Sequence, residues 1–169
     1  MYDFKIHAAD KSSLYRELIE AADALTAGEP DGIANMANVA ALLWESLPDL
    51  NWAGFYRNVD GELVLGPFQG RPACIRIPFG KGVCGAAAAS RETRCVADVH
   101  EFPGHIACDA ASRAELVVPI LDGETLVGVL DLDSPLPGRF DQEDVDGCVK
   151  LAQRLSSRFG AMVNIAASS

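Results

Sequence analysis

Leu14, Leu18, Ile19, Ala22 and Leu25 recur at helical spacing, and Gly28-Glu29-Pro30-Asp31-Gly32 breaks the run, so a helix is predicted over Lys11–Ala27. Ser12 or Ser13 stands ready as its N-cap. A second helix is predicted from Asp31 to Leu47, with Ile33, Met36, Val39, Ala40, Leu43 and Trp44 on one face and Pro48 closing it. The texture then becomes extended. Trp52 to Arg57 and Glu62 to Gly66 flank Asn58-Val59-Asp60-Gly61, a hairpin turn signal. Ala73 to Pro78 alternates around Cys74, Ile75 and Ile77 as a third strand. Phe79 to Gly85 reads as a glycine-rich turn into a short helix at Ala86–Ala89, and Thr93 to Val99 as a short strand. Glu115–Leu121 and Thr125–Asp133 are joined by Asp122-Gly123, the clearest hairpin in the chain. After a loop from Pro135 to Phe140, Asp141 caps a last helix from Gln142 to Ala161, with Val145, Cys148, Val149, Ala152, Leu155 and Phe159 inward.

This order predicts an α+β fold. One central antiparallel sheet carries the amino- and carboxy-terminal helices on one face and loops over a ligand pocket on the other. The 169 residues suit one domain, with its core over residues 15–159 and tails at 1–10 and 162–169. A formal charge of −10 argues against nucleic acid or an anionic membrane as partner and suits a cationic group on a small ligand. Met1 to Asp10 has no apolar run, and no stretch has the length of a membrane span, so a cytoplasmic protein is expected.

The five cysteines, Cys74, Cys84, Cys95, Cys108 and Cys148, are odd in number and ill suited to a disulfide framework. No pair has zinc-knuckle spacing, so no metal is expected. Cys148 lies on the apolar face of the last helix and reads as packing. Cys108 is different. It sits in the turn-rich stretch Val99 to Ser112, with His100 and His105 upstream and Asp109 beside it. The two imidazoles could depress its pKa, but hydrogen bonding within the loop is the reading preferred for both. Asp109 reads as a loop or cap residue.

Asn51-Trp52-Ala53-Gly54-Phe55-Tyr56, Gly82-Val83-Cys84-Gly85, Asp98-Val99-His100, Phe102 to Ser112, Val118-Pro119 and Gly128-Val129-Leu130-Asp131-Leu132-Asp133 follow in that order. Together they resemble the free methionine-(R)-sulfoxide reductases, enzymes built on a GAF domain. The likeness runs from Tyr15 to Phe159, and Phe102 to Ser112 is its most specific part. It implies a nucleophile at Cys108, a resolving thiol at Cys74 or Cys84, and pocket residues at Trp52, Tyr56, Glu115, Asp131 and Asp133. Cys95 has no role in that pattern.

The implied reaction is reduction of free methionine-(R)-sulfoxide. A thiolate attacks the sulfoxide sulfur, leaving a sulfenic acid on Cys108. A second thiol closes a disulfide, and thioredoxin, fed by an NADPH-dependent system, reopens it. No bound cofactor is implied. The departing oxygen needs an acid, for which Glu115 stands first and Asp133 second, while Asp131 or Asp133 would hold the ammonium of the free amino acid. Trp52 and Tyr56 are four apart in a strand, so both face one side and could enclose the S-methyl group. Read alone, the aromatics are core residues, and the carboxylates are ordinary strand residues. A non-catalytic GAF sensor of a small ligand is the alternative function, and a substrate-free thiol switch a weaker one. The amino-terminal helices make a homodimer plausible.

Overall fold

The computed structural model describes residue 6, residues 8–104 and residues 110–160. Helices α1 (Lys11–Leu25) and α2 (Gly32–Ser46) come first, followed by strands β1 (Trp52–Val59), β2 (Glu62–Gly70) and β3 (Arg76–Pro78). Helix α3 (Gly82–Ser90), strand β4 (Arg94–Val96) and a single 3-10 turn at Val99–Glu101 lead to β5 (Ala114–Asp122), β6 (Thr125–Ser134) and α4 (Gln142–Phe159). The six strands form one sheet in the order β3-β2-β1-β6-β5-β4, every neighbour antiparallel. The α+β expectation therefore holds.

The pleat divides the sheet between two cores. Ala53, Phe55, Leu116, Val118, Ile120, Leu130 and Leu132 face α1, α2 and α4. The opposite face carries Trp52, Tyr56, Val117 and Val129 against Val83, Cys84, Ala87 and Ala88 of α3. Both hairpins form, but the second turns on Gly123-Glu124 (Gly123 φ 61°), since Asp122 still pairs with Thr125 in the strands. In the first, Asp60 (φ 52°) and Gly61 (φ 83°) are both left-handed, the conformation a tight hairpin needs.

Five local expectations are corrected. Asp10, not Ser12 or Ser13, caps α1: its carboxylate accepts from Ser13 N, and both serines lie inside the first turn. On α2, Met36, Val39, Ala40 and Leu43 are buried, but Ile33 and Trp44 are 41% and 39% exposed. At about 100° per residue those two sit on the edge of the stripe, and Asn35 and Leu42 on its other edge are buried instead. Strand β2 continues past Pro67 to Gly70, through an irregularity in its register with β1 between Gly54 and Tyr56. Strand β3 starts at Arg76 rather than Ala73, leaving Ile75 exposed. The stretch read as a strand over Thr93–Val99 is shorter. Asp98 accepts from His100 N and turns the chain into the 3-10 segment.

Cys108, His105, Asp109 and the terminal residues 1–5, 7 and 161–169 lie outside the described residues. No described helix is long and apolar enough to cross a membrane.

Candidate active site

Three adjacent strands build the floor of the site, and their register decides which side chains meet. Asp133 of β6 is paired with Trp52 of β1 on one side and Glu115 of β5 on the other. One step along, on the same face, Asp131 is flanked by Gly54 and Val117, and a further step brings Val129 between Tyr56 and Pro119. Partners across an antiparallel pair share a face. The carboxylates of Glu115, Asp131 and Asp133 and the rings of Trp52 and Tyr56 therefore all stand on the α3 side. Glu115 and Asp131 are buried, and Asp133 is half-buried.

The aromatic side chains form a continuous wall. Trp52 stacks on Tyr56 with centroids 5.8 Å apart, and on Phe68 of β2 at 5.1 Å. Indole Nε1 donates to Arg71 O at 3.2 Å, and the Tyr56 hydroxyl donates to Cys74 O at 3.0 Å. Each buried ring thus has its polar atom satisfied. Gly54 is the gap that allows this stacking, since a Cβ there would lie 2.3 Å from Phe68 Cβ. Phe68 is a wall residue that sequence reading missed, because Pro67 reads as the end of a strand.

Helix α3 supplies the thiol. It begins at Gly82, four residues before the expected Ala86, so Gly82-Val83-Cys84-Gly85 forms its first turn. Gly85 sets how closely the helix docks: a Cβ there would lie 2.4 Å from Pro78 O. Docking places Cys84 Sγ 3.8 Å from Glu115 Oε1. One ligand-type atom each from Cys84, Glu115 and Asp131 lie within 4.8 Å of one another, all three residues buried.

A thiol in the first turn of a helix is usually acidified by the helix dipole. Here burial, with Asp131, Glu115 and Asp133 adding negative charge, pushes the Cys84 thiol well up. Burial likewise raises the Asp131 carboxyl to about 7, although a hydrogen bond with Cys84 opposes the shift. Glu115 is pushed well up by burial and then by the charge of Asp131. Burial and the same acidic groups raise the Tyr56 phenol. The nest is thus strongly receptive to protons and cations. Asp131 Oδ1 is buried without a hydrogen-bond partner among the described residues.

The remaining cysteines separate clearly. Cys74 is half-buried and disulfide-bonded, whereas Cys84, Cys95 and Cys148 are free. Cys95 is exposed on β4, with Phe140 O 3.6 Å from its sulfur. Cys148 is fully buried beside the Tyr15 hydroxyl in the helical core, as its apolar face predicts. His100 is bonded to Asp98, which also pairs with Arg113, so this imidazole holds the loop.

The GAF domain model matches residues 9–161. The free methionine-R-sulfoxide reductase of Escherichia coli (strain K12) is 51% identical over 146 residues, 86% of this chain and 88% of that one. The Saccharomyces cerevisiae protein of the same name is 42% identical over 156 residues, covering 87% and 86%. In three dimensions, the free methionine-R-sulfoxide reductase from Neisseria meningitidis, solved in complex with its substrate, superposes with a TM-score of 0.91 at 45% identity, covering 95% and 97%. The chain belongs to the GAF domain family and, within it, to the free methionine-R-sulfoxide reductases.

Proposed function

We propose that this protein reduces free L-methionine-(R)-sulfoxide to methionine. The observation that carries the reading is the buried acidic nest beside an aromatic wall, within a chain about half identical to the reductase from Escherichia coli. A free amino acid brings an ammonium that can neutralise Asp131 and Asp133. A methionine inside a polypeptide has no such cation, so burying these carboxylates against it stays unfavourable. Trp52 and Tyr56 enclose the S-methyl group.

Cys108 acts as the nucleophile, on the strength of the Phe102–Ser112 motif. Its thiolate attacks the sulfoxide sulfur while Glu115, whose raised pKa keeps a proton available, protonates the oxygen. The substrate sulfur gains two electrons, and the Cys108 sulfur loses two and ends as a sulfenic acid. An upstream thiol then attacks that sulfur, forming a disulfide and releasing the oxygen as water. Cys74 suits this step, since it already takes part in a disulfide while Cys84 is free and holds its proton. Thioredoxin, a cytoplasmic dithiol carrier, exchanges with the disulfide and restores both thiols. No prosthetic group takes part. The chain works as a homodimer in the cytoplasm. Ile33 and Trp44, exposed on one face of α2 three turns apart, support self-association.

The test offers the purified protein free L-methionine R- and S-sulfoxide and an N-acetylated R-sulfoxide, with thioredoxin as reductant. Consumption of the free R epimer alone is expected. Equal loss of both epimers, or of none, would overturn the reading, and the latter would favour a sensor.

A further inference from the structure

We propose that Cys84, Glu115 and Asp131 form a binding site for one divalent cation of the zinc class, filled when the amino-acid substrate is absent. The claim that this ion shuts out substrate rests on the function proposed above. The site itself does not.

The sequence conceals this arrangement, because the three residues come from positions 84, 115 and 131 and match no ligand spacing. Docking of α3 on β5 and β6 creates it. Sγ and Oε1 of Cys84 and Glu115 are 3.8 Å apart, and one donor atom from each of the three residues fits within a 4.8 Å span. Zinc bonds of about 2.3 Å to sulfur and 2.0–2.2 Å to oxygen place tetrahedral ligand atoms roughly 3.3–3.6 Å apart. Side-chain shifts of about 1 Å close the cluster to that size. Independently, the buried Asp131, only 5% exposed, carries an oxygen with no partner among the described residues. A cation fills that vacant valence.

The donor set selects the metal. One thiolate with two carboxylates suits a borderline ion that accepts four ligands, and three protein ligands leave the fourth position open. Magnesium and calcium ask for six or more oxygens, which this cluster does not offer. Bound zinc would occupy Asp131, which otherwise meets the substrate ammonium, and Glu115, which otherwise supplies the proton, and would tie up one of the upstream thiols. Metal and substrate then exclude each other.

Cobalt(II) added to the fully reduced protein is the probe, because thiolate-to-cobalt charge transfer gives a near-ultraviolet band and a tetrahedral site gives visible bands. One equivalent should produce both, and zinc should abolish both by displacement. Cys84→Ser should remove the charge-transfer band, whereas Cys95→Ser and Cys148→Ser should keep it. Asp131→Asn, checked for folding by circular dichroism, should weaken zinc binding at least tenfold. Free methionine-R-sulfoxide should raise the zinc concentration needed for half-occupancy. Absence of the band, its survival in Cys84→Ser, or unchanged zinc affinity in Asp131→Asn would overturn the site. Turnover without the band removes the metal site and leaves the reductase reading. The band without turnover upholds the metal site and removes the claim of substrate exclusion.

Discussion

The sulfur of Cys84 stands 3.8 Å from Oε1 of Glu115, both side chains buried, so a helix thiol and a strand carboxyl share one proton-rich corner. Neither group ionises readily there, since burial raises both pKa values. That suits Glu115 for giving up a proton to a departing oxygen. Glu115→Gln should lower kcat about 10²–10⁴-fold, the usual worth of a positioned acid. The melting temperature should not fall, because the amide removes a buried acid without changing its shape. A kcat within twofold of the parent would assign the proton to Asp133 or to water.

The cysteines should divide by function. Cys108→Ser should abolish turnover. Cys74→Ser should release about one methionine per protein and then stall, since the sulfenic acid forms but no disulfide follows. Cys148→Ser should keep its turnover but lose about 1–2 kcal/mol of stability, because the sulfur is fully buried in the helical core. Single-turnover assays with thiol counting and denaturant melts read all three. Multiple turnovers by Cys74→Ser would make Cys84 the resolving thiol.

The wall offers a quantitative check. Sulfur–aromatic contact is worth about 0.3–1.5 kcal/mol, so Trp52→Leu should lower kcat/KM by about two- to twelvefold through that term. Tyr56→Phe keeps the stacked ring but loses the bond to Cys74 O, and should cost about 1 kcal/mol of stability. Steady-state kinetics and thermal melts separate the two. An unchanged kcat/KM in Trp52→Leu would return Trp52 to the ordinary core.

What the sequence revealed and what it hid follow from the range of the interactions. Alternation along β1 and β6 puts Trp52 with Tyr56, and Asp131 with Asp133, on common faces, whereas Glu115 meets Asp133 only through the register shift between Ile120 and Leu121, since the β5–β6 turn alone would set it against Leu132. The alternation is a local rule, and it holds; the shift is not. The meeting of Cys84 with Glu115 depends on how α3 docks across the sheet, which no periodicity encodes. Helix α3 takes in Gly82 and Gly85, which propensity disfavours, and Gly85 is the one needed for close approach to Pro78. Phe68 escaped because the irregular register lets a strand run through Pro67. Ile33 and Trp44 looked inward because spacing alone does not centre a helix on its core.

Gly85→Ala tests the docking directly. The added Cβ would lie 2.4 Å from Pro78 O, a backbone atom that cannot swing aside. Overpacking of this kind costs about 1–3 kcal/mol and should also push Cys84 away from Glu115. A fall in melting temperature together with a fall in kcat is expected. A variant as stable and active as the parent would mean that α3 docks loosely.

The acidic nest also fixes the sign of a pH effect on stability. Burial lifts Asp131 from the ordinary 3.8 to about 7 in the folded protein, and Glu115 moves in the same direction. Between those values the folded chain keeps a proton that the unfolded chain has released. The contribution of these two carboxyls to the unfolding free energy must therefore fall as pH rises from about 4 through 7. The contribution at Asp131 is on the order of a few kcal/mol, since each pKa unit is worth about 1.4 kcal/mol. Asp131→Asn cannot ionise, so its stability relative to the parent should grow across the same window. Saturating methionine should flatten the parent's decline, because its ammonium favours the ionised carboxylate. Denaturant melts from pH 4 to 8 measure all three curves. A metal-free parent protein that gains stability relative to Asp131→Asn between pH 4 and 7 would mean that burial does not raise this carboxyl, and the proton-rich nest would lose its physical basis.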